Sequence, residues 1–493
     1  MMEDLDLLSI QEVRNYLKQA VAAQKKLMDM SQEQIDRIVA SMAKAGEEAA
    51  ERLAHMAVEE TGFGKAADKK TKNLFASQRV YEAIKDVKTV GIIRRDEQNR
   101  VWEVAQPVGV VAGIVPSTNP TSTAIFKSLI AVKARNAIII SPHPSAAKCT
   151  LEAVRVVERA AVQAGAPEGL IHCITQPTMA ATNELMKHKL TDVILATGGT
   201  AMVKAAYSSG KPAYGVGPGN VPVYIHPTAS ISKAVQQIVQ SKTFDWGTIC
   251  ASEQAIVVDE SIKSQVIREL QEQGAYFLNE DEKAKVAAII MVNGSLNAKM
   301  VGRSPQKIAE LAGISIPSEA KVLVAQETNV GKEHPFSVEK LAPILALYTV
   351  KDWKEGSRVC EQLLQLGGLG HTVGIHASDQ SIIEEFGLTK PASRVVVNSG
   401  TTFGGIGATT GIQPSFTLGC GSFGNNATSD NIGPQHLMNI KRIAFGIREM
   451  QTEEPAPSKL QAKPETAAET VQNLGISREE IMSIIKSVLL EMK

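Results

Sequence analysis

The sequence predicts two α/β domains in tandem, each built on a parallel sheet, and three observations carry that prediction. Between about 108 and 226 the short apolar runs VGVVAGIV, NAIIIS, LIHCI, DVILAT and VPVYI alternate with helical stretches near 120–133, 145–164, 178–187 and 199–208. Runs of β-branched residues without polar alternation, separated by helices, describe strands buried on both faces. A second series of the same kind, AIVV, VLVA, ILALYTV, TVGIHA and RVVVN, occupies about 229–400. The length of 493 residues has room for several units at about 150 residues each. No repeat of about 20–50 residues recurs, which argues against a solenoid.

The other elements follow in chain order. Ser9 to about Glu60 mixes charges with Ala, Leu, Met and Ile at helical spacing and has no proline, so two or three surface helices are expected there. Residues 88–107, KTVGIIRRDEQNRVWEVAQP, flank the polar turn Asp96 to Asn99 with β-branched residues and read as a hairpin. Residues 1–226 then form one domain with that hairpin inserted, 227–410 a second, and 411–450 a segment returning to the core. Residues 451–475 are rich in Pro, Glu, Thr, Ala and Gln and read as a linker. From 476 helix signals return. Ser477 and Glu480 make a capping box, and Ile481, Ile484, Ile485, Val488, Leu489 and Met492 align on one apolar face.

Composition narrows the function classes. The 52 Lys+Arg against 52 Asp+Glu give no net charge, so attraction of the whole molecule to nucleic acid or anionic membrane is not expected. The five cysteines, Cys149, Cys173, Cys250, Cys360 and Cys420, have no disulfide-framework or zinc-site spacing, which suits a reducing cytoplasm and no bound metal. The acidic start, MMEDLDLLSI, lacks the form of a secretory signal, and no apolar run is long enough to span a bilayer.

Few motifs carry chemistry. Gly419 to Gly424 matches GxGxxG but lacks the strand before it and the helix after it, and reads as a loop. Ala196 to Ala201, ATGGTA, ends a strand and opens a helix; its backbone N–H groups either hold a dinucleotide's phosphates or make a structural turn. The most informative stretch is Phe244 to Glu253, FDWGTICASE, which places the thiol of Cys250 on a glycine-containing loop. Asn119 in VPSTNP, after another strand, is an amide able to donate to an oxyanion.

These stretches carry a resemblance over about residues 9–449, joined by IIISPHPSAAKCT (138–150), LATGGTAMVKAAYSSGKPAYGVGPGNVPVYI (195–225), EKLAPILALY (339–348) and GLGHTVGIH (368–376). The chain resembles the aldehyde dehydrogenase superfamily, and within it the CoA-acylating members, including the aldehyde dehydrogenase half of bifunctional aldehyde–alcohol dehydrogenases. The resemblance implies two Rossmann-like domains, with 1–226 binding NAD(H) and 227–410 carrying the nucleophile. It places Cys250 as nucleophile, Asn119 as oxyanion-hole amide, and Thr197, Gly198 and Gly199 at the dinucleotide. It places Glu339 at the nicotinamide ribose, with Ser117 and Ser141 also on the cofactor side. His371 is the candidate neighbour of the thiol or of coenzyme A, against a structural role. The 88–107 hairpin resembles the family's subunit-joining arm and implies a homodimer or homotetramer.

Two departures refine the expectation. Hydrolytic members carry ELGGKNP, whose glutamate activates water; here Val216 stands in that place within VGPGNVP, and an isopropyl group takes no proton. The acyl-enzyme is then expected to await a thiol, coenzyme A. Second, Ser141-Pro142-His143-Pro144 lacks the carboxylate that favours a free ribose 2′-hydroxyl, so NAD rests on the resemblance alone. The expected reaction is aldehyde, coenzyme A and NAD⁺ to acyl-CoA and NADH, on acetaldehyde or propionaldehyde. A hydrolytic dehydrogenase and a non-catalytic scaffold are the alternatives.

The terminal helix has three readings: docking on its own protein or a neighbouring subunit, lying on a membrane, or targeting. Arg478, Lys486 and Lys493 are balanced by Glu479, Glu480 and Glu491, which disfavours the membrane. The helix with its linker resembles the encapsulation peptides of bacterial microcompartment enzymes, which implies shell or cargo proteins as partners and the compartment lumen as location.

Overall fold

The structure, a computed structural model, describes residues 4–292, 294–450 and 475–491. The first sheet has five parallel strands, in the order Ile171–Cys173, Ala137–Pro142, Val110–Val115, Val193–Thr197, Ala213–Val216. Its centre is dry: Ile138, Ile139 and Ile140 are fully buried, each gaining about 1.5–3 kcal/mol over exposure. A Cβ on Gly113 would lie 2.7 Å from Cδ1 of Ile140, so a larger residue there would displace the neighbouring strand's side chain.

Strand order decides where this sheet can bind something. The chain starts in the middle, at Val110–Val115, fills one side, and crosses back to fill the other from Val193–Thr197. Ligands of open parallel sheets lie beyond the carboxyl ends of strands at such a reversal. Two segments leave the sheet there: 116–119, which leads into the helix Pro120–Lys133, and 198–199, which leads into the helix Thr200–Tyr207.

The second sheet has seven strands, in the order Ala275–Phe277, Val322–Glu327, Ile344–Val350, Glu253–Asp259, Val221–Ile225, Gly370–His376, Ala392–Val397, and is parallel in every pairing. One assignment differs from the sequence expectation. Val221–Ile225, read as the last strand of the first domain, pairs with Glu253–Asp259 and Gly370–His376 and is central to the second sheet. Residues 217–220 therefore run from the edge of one sheet to the middle of the other. Within 411–450, Phe416, Leu418, Cys420, Ile432 and Leu437 pack into the core of the first sheet.

The expected N-terminal helices are Leu5–Met28, Gln32–Glu48 and Ala50–Thr61. A further helix, Ala66–Leu74, continues through a π turn at Phe75–Arg79 into Val80–Ile84. The expected hairpin is present as Gly91–Asp96 antiparallel to Val101–Pro107, and Met438–Ala444 adds a third strand beside the latter.

By contact density the chain divides into residues 1–96 with 101–443, and 97–100 with 444–493. In the smaller unit the Phe445 N–H donates to the Arg100 carbonyl at 3.1 Å. It also contains the terminal helix, Arg478–Glu491, whose capping box is formed: Glu480 N–H donates to Ser477 Oγ, and Ser477 N–H to Glu480 Oε2 at 2.8 Å. Met482, Ile484, Ile485, Val488, Leu489 and Leu490 are exposed on it. Met492 and nearly all of the expected linker lie outside the described residues.

Candidate active site

Cys250 is the one cysteine of the five that is not buried. Local geometry presents it. Asp245 and Trp246 both hold left-handed backbone, at φ 48° and 53°, and Gly247 follows at 71°. That reversal turns the chain between the helix Ile231–Thr243 and the strand Glu253–Asp259, leaving Cys250 in the turn that enters the strand. The thiol is nonetheless ringed by protein: burial first, then the charge of Glu339, pushes its pKa up to about 12. It rests as a thiol, and a thiolate at this position would have to be generated.

Asn119 meets this turn. It occupies the N-cap of the helix Pro120–Lys133, yet its side chain makes no capping bond. Nδ2 donates instead to the Thr248 carbonyl at 3.3 Å, two residues before the cysteine, and to Thr118 Oγ1 at 3.1 Å. Oδ1 accepts from Lys72 Nζ at 2.5 Å. The amide thus faces the Cys250 turn with its donor side.

The 217–220 crossing lies against the same turn. A Cβ at Gly219 would fall 2.1 Å from the Cys250 carbonyl oxygen and 3.1 Å from Cε1 of His371, so only glycine lets these backbones approach. The Gly219 N–H donates to Glu339 Oε1 at 2.8 Å. Burial raises the Glu339 carboxyl to about 7, against the pull of that N–H and of Lys242 and Lys340. Val216, 2 % exposed, ends the edge strand before the crossing and is paired in register with Thr197.

His371 is fully buried; Nδ1 lies 3.0 Å from Thr372 Oγ1, and Nε2 has no partner among the described residues. Burial, then the Arg394 charge, holds its pKa well below the usual histidine value, so the ring is neutral. The structure therefore brings Cys250, Asn119, Glu339 and His371 to one place, linked through the backbones of Thr248 and Gly219.

Of the expected cofactor residues, Thr197, Gly198, Gly199 and Ser117 lie at the first sheet's strand reversal, Ser141 ends the adjoining strand Ala137–Pro142, and Glu339 lies apart at Gly219. Thr197 Oγ1 is 3.3 Å from Thr417 Oγ1, and Gly199 has open space where a Cβ would stand, so backbone N–H groups at the start of Thr200–Tyr207 are approachable. Ser117 is partly exposed in the 116–119 segment. Ser141 is 2 % exposed, with Oγ 2.8 Å from Thr182 Oγ1, while His143 just beyond it is exposed. A crevice at a strand reversal, with glycine backbone on one wall, fits a dinucleotide.

One part of the site has no counterpart in the sequence reading. Lys69 and Lys72, each 2 % exposed, both reach Asp245 Oδ2, Lys69 at 3.0 Å. Asp245 Oδ1 accepts the Lys65 N–H and Oδ2 accepts the Thr248 hydroxyl, both at 2.7 Å. Asp68, Lys69 and Lys72 share one face of the helix Ala66–Leu74 by their spacing, and Lys65 is its N-cap. That spacing is the only signal in the sequence, and it is shared with ordinary solvated helices.

Among the described residues no group of three or more His, Cys, Asp or Glu side chains could hold a metal ion, and no helix is long and apolar enough to cross a membrane. A solved acetylating aldehyde dehydrogenase from Geobacillus thermoglucosidasius is 72 % identical, superposes with a TM-score of 0.91, and matches over 92 % of this chain and 100 % of its own. A Rhodopseudomonas palustris propionaldehyde dehydrogenase, solved with bound CoA and an acylated cysteine, is 28 % identical with a TM-score of 0.80, covering 88 % of this chain and 97 % of that one. The bifunctional aldehyde-alcohol dehydrogenase AdhE of Escherichia coli K12 is 46 % identical over 441 residues, 88 % of this chain and 50 % of that protein. The chain thus spans about half the length of the bifunctional relatives it matches. The profile of the aldehyde dehydrogenase family matches residues 3–421. With the Asn119 amide turned to the Cys250 turn and a family match over residues 3–421, the chain belongs to the aldehyde dehydrogenase family.

Proposed function

We propose that this chain is a CoA-acylating aldehyde dehydrogenase that converts a small aldehyde, coenzyme A and NAD⁺ to acyl-CoA and NADH, reversibly. The observation that carries the reading is the stretch 216–220, the last residue of the edge strand and the crossing after it. It lies on the Cys250 carbonyl through Gly219 and offers no carboxylate. The acid that reaches it, Glu339, is tied to the Gly219 N–H. An acyl-cysteine there has no dedicated base to activate water, and the CoA-bound, acylated state of the Rhodopseudomonas palustris enzyme supports a thiol as acceptor.

Each residue then has a task. Cys250, once deprotonated, adds to the aldehyde carbonyl to form a thiohemiacetal. Its oxygen, negative as it forms, is met by Asn119 Nδ2 and the Cys250 backbone N–H; losing one such donor typically costs about 10²–10³ in rate. Thr197, Gly198 and Gly199 hold the dinucleotide in the crevice, and Glu339 at the cleft orients its ribose. NAD, when bound, supplies the hydride acceptor. The resulting thioester on Cys250 persists until the thiol of coenzyme A takes the acyl group. Neutral, buried His371 beside Gly219 shapes the thiol's approach. A hydrolytic member would place an acid where Val216 stands.

Two further parts belong to this reading. The hairpin sheet joins subunits into a homodimer or homotetramer. The exposed apolar face of Arg478–Glu491 addresses the enzyme to shell or cargo proteins of a bacterial microcompartment, with which it is expected to co-purify; deleting 451–493 is expected to abolish this co-purification with shell proteins while activity persists, and unchanged co-purification would sink the targeting role.

The test of the chemistry is the covalent state of Cys250. Mixing protein with aldehyde and NAD⁺ but no coenzyme A is expected to add one acyl mass to Cys250, discharged when coenzyme A is added. Cys250→Ala is expected to show no adduct and no turnover while still binding NADH. An adduct on another residue would move the nucleophile elsewhere.

A further inference from the structure

The oxyanion site has charged support beneath it that the reaction outlined above does not use. Asn119 Oδ1 accepts from Lys72 Nζ at 2.5 Å. Lys72 is 2 % exposed, and its ammonium also reaches Asp245 Oδ2 and Thr248 Oγ1, the latter at 3.3 Å. Lys69, equally buried, donates to Asp245 Oδ2 at 3.0 Å and to the Thr118 carbonyl at 2.9 Å, the residue before Asn119. Asp68 accepts the Asp245 N–H and pairs with Lys65, each at 2.7 Å. Two buried lysines thus share one buried aspartate, leaving an excess positive charge under the amide.

Removing these charges from water is expensive, and a stable fold does not need so many. Lys69 and Asp245 alone would make a balanced pair. Burial brings the Lys72 pKa down to about 8 even though Asp245 opposes the shift, a sign of how costly its charge is there. A primary amide presents either its oxygen or its NH₂ to a given side. An ammonium has only donors, so Lys72 fixes which atom of Asn119 it meets. With Oδ1 turned to Lys72, Nδ2 must face the Cys250 turn, as it does toward the Thr248 carbonyl.

We propose that Lys72, held by Asp245, is a positioning residue of the oxyanion hole: it locks the Asn119 amide with Nδ2 toward the cleft and polarises that amide as the thiohemiacetal oxygen becomes negative. The proposal rests on the acylating reading through the role it gives Asn119. It departs from that reading in assigning a function to a residue that touches neither substrate nor cofactor. Preorganised positive charge in a water-poor site acts on developing negative charge without further rearrangement.

A double-mutant cycle tests it. Single-turnover NADH formation is measured with acetaldehyde and NAD⁺ for wild type, Lys72→Met, Asn119→Ala and the double variant, with melting temperature and NADH binding followed alongside. Lys72→Met leaves Lys69 paired with Asp245. The rate is expected to fall about 10²–10³-fold in Asn119→Ala and at least tenfold in Lys72→Met, with NADH affinity unchanged. The double variant is expected to be no slower than Asn119→Ala, because Lys72 acts through that amide. A Lys72→Met rate near wild type, or an equal further loss in the Asn119→Ala background, overturns the proposal. Full activity in Asn119→Ala instead overturns the oxyanion role itself and separates the two failures. If Lys72→Met does not fold, Lys72→Gln, neutral and similar in length, runs the same cycle with at least a tenfold loss expected and the same overturning results.

Discussion

Replacing Asp245 by alanine would strip the counter-ion from two buried lysines at once. Lys69 and Lys72 are each 2 % exposed, and both are ion-paired to the same Asp245 oxygen. Removing one partner of a buried ion pair typically costs about 3–5 kcal/mol, because the remaining charge stays desolvated. Two lysines are orphaned here, and the hydrogen bonds from the Lys65 N–H and the Thr248 hydroxyl, both 2.7 Å, go as well. The upper half of that range, about 4–5 kcal/mol, is the expected loss. Urea unfolding of the wild type and Asp245→Ala at neutral pH, followed by tryptophan fluorescence and circular dichroism together, measures it. Asp245 is also held below its ordinary pKa: burial acts to raise it, and Lys72 and Lys69 overcome that. Its contribution is therefore complete above the unfolded carboxylate pKa of about 3.9 and is lost as pH falls through the lower folded value. A stability change under about 1 kcal/mol would refute the reasoning, since it would mean that the lysines reach water or other anions.

Other expectations concern the thiol's surroundings. Gly219→Ala places a Cβ about 2 Å from the Cys250 carbonyl oxygen, and a displacement near 1 Å can cost about 10²-fold in kcat/KM; activity within about twofold of wild type would contradict the close approach. Glu339→Gln removes a negative charge that helps hold the thiol near 12. Iodoacetamide alkylation of Cys250 at pH 9 should then accelerate, and an unchanged or slower rate would show that the carboxylate does not act on the thiol. In the wild type the same alkylation should rise about tenfold per pH unit between 7 and 10, as expected while thiolate is a small fraction; a plateau near pH 8.5 would indicate an unperturbed cysteine.

The two parallel sheets were legible because buried strands leave apolar, β-branched runs without polar alternation, such as NAIIIS and AIVV, whose residues Ile138 to Ile140 and Ala255 to Val258 are buried. Sheet membership was not. VPVYI fits either sheet by composition, and only its hydrogen-bonding to Glu253–Asp259 and Gly370–His376 assigns it. Cys250 and Asn119 stood out because each sits on a loop at the end of an apolar element, where chemistry-bearing side chains are usually displayed. The bond between Glu339 and Gly219 joins residues 120 apart in sequence, and no local pattern encodes it. Lys65, Asp68, Lys69 and Lys72 are the sharpest failure. Charges at three- and four-residue spacing describe a solvated face on nearly every helix, and here the same spacing turns inward because Asp245, far along the chain, waits in left-handed backbone to receive it. Ser141, placed on the cofactor side by the resemblance alone, has its hydroxyl 2.8 Å from that of Thr182, a partner 41 residues away that no local pattern announces.

The most direct test of the acylating assignment is NADH production by the purified protein given acetaldehyde and NAD⁺, with and without coenzyme A. Continuous NADH formation that requires coenzyme A and yields acetyl-CoA is the expected result, with at most about one equivalent per active site in its absence. Continuous NADH formation without coenzyme A, with acetate as product, would contradict it and return the chain to the hydrolytic dehydrogenases.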